Sequence, residues 1–297
     1  MKKPIHIQNI GELFPVAPST AGMRTKITCL TLDYENINTL FQTPVFLNAA
    51  IAIFVQSGTA DILINYRRHP VKVNSAILLS ASHLFNFSRC SKDFNCLCLF
   101  VSKEFMNEMD VTDMIYRRIK YGVKLYNTPV MEMSTADQSL LSERIGMLSK
   151  AIDNTDHLYQ KDMILNNLFA FYLDLSNIID RQPEFENNSN LTRYESIIKS
   201  FIELLINNYQ REHKVEFYAS QLNISAHYLT LIVKRITGQT VSDFIFEMIY
   251  SEARNLLTHS TLSIQQITTL LHFSDQSAFG KFFRRKAGIS PVDFRKK

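Results

Sequence analysis

One pattern occurs twice within the last third of this 297-residue chain, and few folds accommodate it. Ala219, Ile224, Leu229, Val233 and Gly238 are answered by Thr268, Phe273, Phe279, Phe283 and Gly288, at offsets of 49, 49, 50, 50 and 50. A duplicated offset of this kind marks a duplicated supersecondary unit. Each member has a physical task in a short helix, a tight turn and a longer helix. Ala219 and Thr268 are small where two helices cross closely, and Ile224 and Phe273 plug the turn. Leu229 with Val233, and Phe279 with Phe283, are i, i+4 pairs that bury the inner face of the second helix. Ser225 and Asp275 are sound N-caps, and Gly238 and Gly288 suit a left-handed C-terminal stop. The unit expected is a helix-turn-helix, present twice.

Between the two copies lies TVSDFIFEMIYSEARNLLTHS, with Phe244, Ile245, Met248, Ile249, Ala253, Leu256 and Leu257 spaced for burial. It is long enough for a rigid connecting helix that fixes the second helix of one motif relative to that of the other. Two such helices on one chain can address successive major-groove faces about one turn, ~34 Å, apart.

Charge follows the repeat. Residues 1–190 carry 18 Lys and Arg against 19 Asp and Glu, whereas residues 191–297 carry 14 against 9. A basic excess confined to one region is what a polyanion-binding domain requires.

The residues SEARNLL, SIQQIT, HFSDQSAFGKFFRRKAG and GISPVDFR carry a specific likeness: residues 191–297 resemble the AraC/XylS-type DNA-binding domain of bacterial transcription regulators. The resemblance implies double-stranded promoter DNA and RNA polymerase as partners. It also implies a preceding cupin-like domain that senses a small-molecule effector and forms a homodimer. It places base contacts at His227, Thr230 and Leu231 on the outward face of the first recognition helix; on the second, the outward set that would meet bases is Gln276, Ser277, Gly280 and Lys281. Gln pairs bidentately with adenine, Lys donates to guanine, Gly permits close approach, and Leu offers only apolar contact, for example to a thymine methyl. Lys234, Arg235, Arg284, Arg285, Lys286 and Arg295 are expected on phosphates, with backbone donors added at Thr240 and Ser290. The chain departs from the family pattern at Leu231, where Arg is frequent, at His272, where the turn commonly has Gly, and at Ile249, where the connecting helix commonly has Arg.

Upstream, TKITCLTLDY, AAIAIFV, TADILINY, PVKVNSAILLS and FNCLCLFVS are short apolar or alternating runs. Gly58, a turn at Arg67 to Pro70 and the polar stretch Arg89 to Asp93 punctuate them, which predicts an antiparallel barrel or sandwich. After Ser102 the period moves toward 3.6. Ser134 or Thr135 caps one helix carrying Leu140, Leu141, Ile145, Leu148 and Ile152, and a second carries Met163, Ile164, Leu168, Phe171, Tyr172, Leu175 and Ile179. This hairpin is suited to pack on the same chain or on a second copy. Residues 181–190, rich in Asn with one Pro, read as a linker, and Thr192 with Glu195 stands at capping-box spacing before the next apolar run. The expected fold is α+β: a cupin-like antiparallel β-barrel over 1–130, a helical hairpin over 131–180, a linker over 181–190, and an all-α double helix-turn-helix domain over 191–297.

Other functions find little support. Metal cupins need clustered His and a carboxylate, but the eight His contain no His-x-His pair, and only His69 and His83 lie in the β region. Cys29, Cys90, Cys96 and Cys98 sit in strand-like surroundings and read as buried thiols in a reduced cytoplasm rather than as metal ligands. There is no nucleophile elbow, phosphate-cradling Gly loop or zinc helix motif, so no enzyme, metal or cofactor is expected. No apolar run approaches the ~20 residues of a membrane span. A regulator whose β domain binds no ligand and only contacts other proteins remains as the alternative.

Overall fold

The structure, a computed structural model, describes residues 7–15, 21–81, 83–106, 121, 125, 128–182, 193–237 and 239–296. Gly238, Thr192 and the linker residues 183–190 lie outside the described residues. The chain divides into two compact units, which among the described residues end at Gln182 and begin at Arg193.

The first unit is mixed. It runs β1 (Ile7–Gln8), α1 (Ile10–Leu13), α2 (Ala21–Arg24), β2 (Ile27–Asp33), α3 (Tyr34–Leu40), β3 (Val45–Leu47), β4 (Ala49–Ser57) and β5 (Thr59–Ile64). It continues with β6 (Arg67–Lys72), β7 (Ser75–Leu79), β8 (Leu84–Cys90), β9 (Asn95–Ser102), α4 (Lys103–Met106), β10 (Val130–Glu132), α5 (Thr135–Asp153) and α6 (Gln160–Asp180). The strands pair into two five-stranded sheets, β1-β3-β8-β5-β6 and β10-β7-β4-β9-β2. All pairings are antiparallel except the short parallel contact of β1 with β3.

One apolar core lies between the sheets, with Ile62, Ile64, Phe85 and Phe87 from the first and Ile51, Ile53, Val55, Ile77, Cys96 and Cys98 from the second. The alternation along β4 explains why the second sheet is apolar on both faces. Ile51, Ile53 and Val55 enter this core, while Phe54 points the other way and meets Phe171 of α6 with ring centroids 6.4 Å apart. The α5–α6 hairpin thus covers the outer face of the sheet. Gln138 of α5 donates to the Val55 carbonyl at 2.8 Å, and Arg144 ties α5 to Asp174 of α6 at 2.7 Å.

Two sequence expectations are corrected. Arg67 to Pro70 is not a turn but most of β6; the reversal is Asn65–Tyr66, both left-handed at φ 49° and 66°, as a two-residue type I′ hairpin demands. Pro70 is tolerated because β6 is an edge strand, where a missing N–H leaves no ladder bond unmade. Arg89 and Cys90 likewise belong to β8 rather than to a loop, held opposite Asp61 and Ala60 of β5. Gly58 does punctuate: at φ +71° it turns β4 into β5, and a Cβ there would lie 2.6 Å from Phe94 Cα.

The second unit is all helical: α7 (Arg193–Asn208), α8 (Val215–Gln221), α9 (Ala226–Thr237), α10 (Val241–His259), α11 (Ile264–Leu270), α12 (Gln276–Ala287) and α13 (Pro291–Arg295). Among the described residues no helix is long and apolar enough to cross a membrane.

Candidate nucleic-acid interface

The repeat in the sequence is a repeat in hydrogen bonding. Between α8 and α9, Asn223 N donates to Ser220 O at 3.1 Å and Ile224 N to Ala219 O at 3.1 Å. Between α11 and α12, His272 N donates to Thr269 O at 3.1 Å and Phe273 N to Thr268 O at 3.0 Å, each bond 49 residues on. The pivots agree as well: Asn223 has φ 53° and His272 φ 51°. Asn adopts this left-handed conformation readily, and His is also enriched there among non-glycine residues, so His272 keeps the turn shape rather than altering it. The N-caps fall where the spacing places them, Ser225 Oγ accepting from Tyr228 N at 3.2 Å and Asp275 Oδ1 from Ala278 N at 2.7 Å. That amide, with the Ser274 hydroxyl, the Ser277 amide and nearby Lys281, holds the Asp275 carboxyl below the usual carboxylate range. Gly288 ends α12 at φ 76° with its N–H on Arg284 O at 2.8 Å.

Burial fixes which face each recognition helix turns outward. Leu229, Ile232 and Val233 of α9 are buried, as are Phe279, Phe282 and Phe283 of α12. The connecting helix α10 buries Phe244, Ile245, Met248, Ile249, Ala253 and Leu257, while Leu256 is only partly covered. Ile249 is wholly buried, so an apolar side chain suits the position, whereas Arg there would need a buried partner. Against α10 sits an aromatic cluster from the second motif, with Phe273–Phe282, Phe273–Phe279 and Tyr250–Phe283 centroids 5.1, 5.4 and 5.3 Å apart.

The outward residues follow from that. On α9, His227 is exposed, Thr230 partly so, and Leu231 is 56% exposed despite being apolar; Lys234 and Arg235 are exposed one turn on. On α12, Gln276, Ser277 and Lys281 are exposed, and a Cβ built on Gly280 would meet nothing within 4 Å. Nothing inside the unit therefore requires glycine at 280. Arg284 and Lys286 are exposed, while the Arg285 guanidinium lies 5.8 Å from the Phe246 ring centroid, a cation–π contact that orients it.

Two phosphate candidates are already engaged, and a third caps a helix with its side chain. The Thr240 N–H donates to Asp243 Oδ2 at 2.9 Å in a capping box, so it is not a spare donor. Ser290 Oγ accepts from Asp293 N at 3.1 Å, capping α13 beside a carboxylate, a bond that does not engage the Ser290 backbone N–H. Arg295 is half-buried, its Nε donating to Leu257 O at 3.4 Å near the end of α10, where a cation also suits the helix dipole.

Sequence reasoning missed several side chains that shape this surface. Gln276 donates to Gln265 of α11, so its carboxamide is held across the motif. Glu247, only 4% exposed on α10, accepts from buried Gln239 at 2.7 Å, a polar link at the start of the connecting helix. His213, in the loop before α8, meets the Phe273 ring of the second motif in a tilted contact, with centroids 5.1 Å apart. Burial and, secondarily, neighbouring His272 lower its proton affinity, against the opposing pull of the Gln210 and Leu271 backbone and of Glu212. A repeat search detects none of these because each pairs residues with no counterpart in the other copy.

The family comparison agrees with this geometry. A family model described as "Helix-turn-helix domain" matches residues 218–297. The Msm operon regulatory protein of Streptococcus mutans is 32% identical over 111 residues, 37% of this chain and 39% of that protein. Regulatory protein PocR of Salmonella typhimurium is 25% identical over 245 residues, 81% of this chain and 74% of PocR. Among solved structures, ToxT from Vibrio cholerae aligns over 91% of this chain and 97% of its own, at 16% identity and a TM-score of 0.33. The chain thus spans well under half the length of the Msm regulator, and its C-terminal unit carries a helix-turn-helix domain.

Proposed function

We propose that this chain is a transcription regulator that binds promoter DNA through α9 and α12, each laid in a major groove. The observation that carries the reading is the duplicated turn: two motifs with the same bonds 49 residues apart, joined by a buried helix, each turning a solvent-exposed face outward. His227, Thr230 and Leu231 meet bases from α9, and Gln276, Ser277, Gly280 and Lys281 from α12. Lys234, Arg235, Arg284, Arg285 and Lys286 hold phosphates, which positions the helices without reading sequence. The Ser290 backbone N–H adds a phosphate donor, while Thr240 and Arg295 support the scaffold beneath.

The first unit is assigned the sensing and self-associating role, as a cupin-like barrel that holds a small-molecule effector, with RNA polymerase the further partner at the promoter and the cytoplasm the setting. Two facing antiparallel sheets over one apolar core support this reading. No catalytic step is assigned. The test is fluorescence anisotropy of the full chain on a selected duplex across a salt series. Affinity falls steeply with salt through counterion release, and Lys281→Ala with Arg285→Ala weakens binding about tenfold or more. Unchanged affinity in that double variant contradicts the assignment.

A further inference from the structure

A cavity of about 630 Å³ opens at the edge of the first sheet, where β5, β6 and β8 approach β10. Its size falls in the ~300–1,000 Å³ range of small-molecule sites. Ala60 and Val71, both part of the core between the sheets, form apolar wall together with Pro70. The Cys90 thiol adds to that wall: burial, with smaller contributions from Cys96 and Asp93, pushes it up to about 11, so it is a neutral SH at physiological pH.

The charges around the mouth nearly cancel in pairs. Buried Asp61 is bound to Arg68 at 2.6 Å, and Lys72 meets Glu132 at 2.9 Å across the gap between the two sheets. Arg89 is left over. Strand register sets it opposite Asp61, but that carboxylate is committed to Arg68, and among the described residues no carboxylate pairs with Arg89. One neutral donor is spent, since the Thr59 N–H already donates to Ser91 Oγ at 2.9 Å.

From this we infer that the cavity binds a small organic monocarboxylate, its carboxylate on Arg89 and its apolar body against Ala60, Pro70, Val71 and Cys90. A dianion such as phosphate would find a single unpaired cation, Arg89, for its two charges. A neutral polyol would meet a largely apolar wall and leave the Arg89 charge uncompensated. The inference deepens the sensing role proposed for the first unit and rests on that reading only for its consequence at DNA; binding itself is measured without DNA.

The experiment is calorimetric titration of the full chain with sodium hexanoate, sodium phenylacetate and, as neutral isostere, phenylacetamide. Saturable binding of at least one carboxylate is expected, with no binding of the amide. Because Arg89 is exposed, Arg89→Gln should fold normally, as an unchanged melting curve would show, and lose about tenfold or more in affinity, the scale of one charge-assisted contact. Arg89→Lys should recover part of the loss. If neither carboxylate binds at millimolar concentration, if Arg89→Gln binds as tightly, or if the amide binds equally well, the inference is overturned. A chain that binds DNA but no carboxylate fails here alone, and one that binds carboxylate but no DNA fails only the proposed function.

Discussion

The two helix-turn-helix motifs share a backbone and differ in almost everything attached to it. Turn bonds and left-handed pivots coincide at an offset of 49, and N-caps at 50. Yet the first motif is filled by Leu229, Ile232 and Val233, the second by Phe279, Phe282 and Phe283. Outside, α9 presents a His, a Thr and an exposed Leu, and α12 presents Gln, Ser, Gly and Lys above three successive cations. The difference teaches that the scaffold constrains only the residues that set the turn and the small crossing position. Filling and outward faces are free to diverge, which under the proposed function lets one chain read two unlike half-sites.

The interior contrast gives the largest expected effect. Phe279→Ala should cost about 3–5 kcal/mol and Leu229→Ala about 2–5, the lower part of that range for the aliphatic motif. The Phe279 cost should exceed the other because its ring also contacts Phe273 and Phe283. Urea unfolding of the full chain, followed through the transition of the second unit, ranks them; a smaller loss for Phe279 would break the comparison.

The outer contrast comes next. Lys281→Ala should weaken binding to the selected duplex by about 1–3 kcal/mol, and Leu231→Ala by less, since an apolar contact to a thymine methyl carries less discrimination than a charged donor. Equal losses would mean that both helices read alike.

Backbone effects are smaller and more diagnostic. Gly280→Ala should stabilise the unit by about 1 kcal/mol, because glycine mid-helix is costly and space for a methyl is free, while weakening DNA binding. Stabilisation without weaker binding would remove the close-approach role. His272→Gly should raise stability by about 1 kcal/mol and Asn223→Gly by less, since Asn carries a smaller left-handed penalty. Thermal melts of the pair decide.

The smallest effect is a pH slope. His213 binds a proton less readily when folded, so the unfolded chain takes up protons first. Its contribution to stability is whole above about pH 6.5 and is lost as pH falls through the lower pKa of the folded ring. His213→Gln should flatten stability against pH in that window; an unchanged slope would assign it elsewhere.

Legibility in the sequence tracked periodicity. The double motif was readable from Ala219 to Gly288 because the same burial task recurs at a fixed offset, and α5 and α6 from their 3.6-residue stripes. Strands β2, β4 and β5 were readable as alternating or apolar runs bounded by Gly58 and polar residues. The reversal at Asn65–Tyr66 was not, because Tyr is a poor predictor of positive φ, and Pro70 drew the turn assignment toward itself. Strand β8 was lost because its exposed end, Ser88 and Arg89, looks like a loop until β5 is laid beside it. At the interface, the outward residues follow from helical spacing, but the Gln265–Gln276 link, the Glu247–Gln239 pair and the Arg285 stack depend on tertiary placement that no local pattern encodes.

The central claim is that α9 and α12 occupy neighbouring major grooves of one duplex. Its most direct test is hydroxyl-radical footprinting of the full chain on a duplex obtained by in vitro selection. The account predicts two protected segments on one face, centred about one helical turn, ~10 base pairs, apart, with the one assigned to α12 lost in Lys281→Ala with Arg285→Ala. A single protected segment in the wild type, or two that the double variant leaves intact, would contradict it.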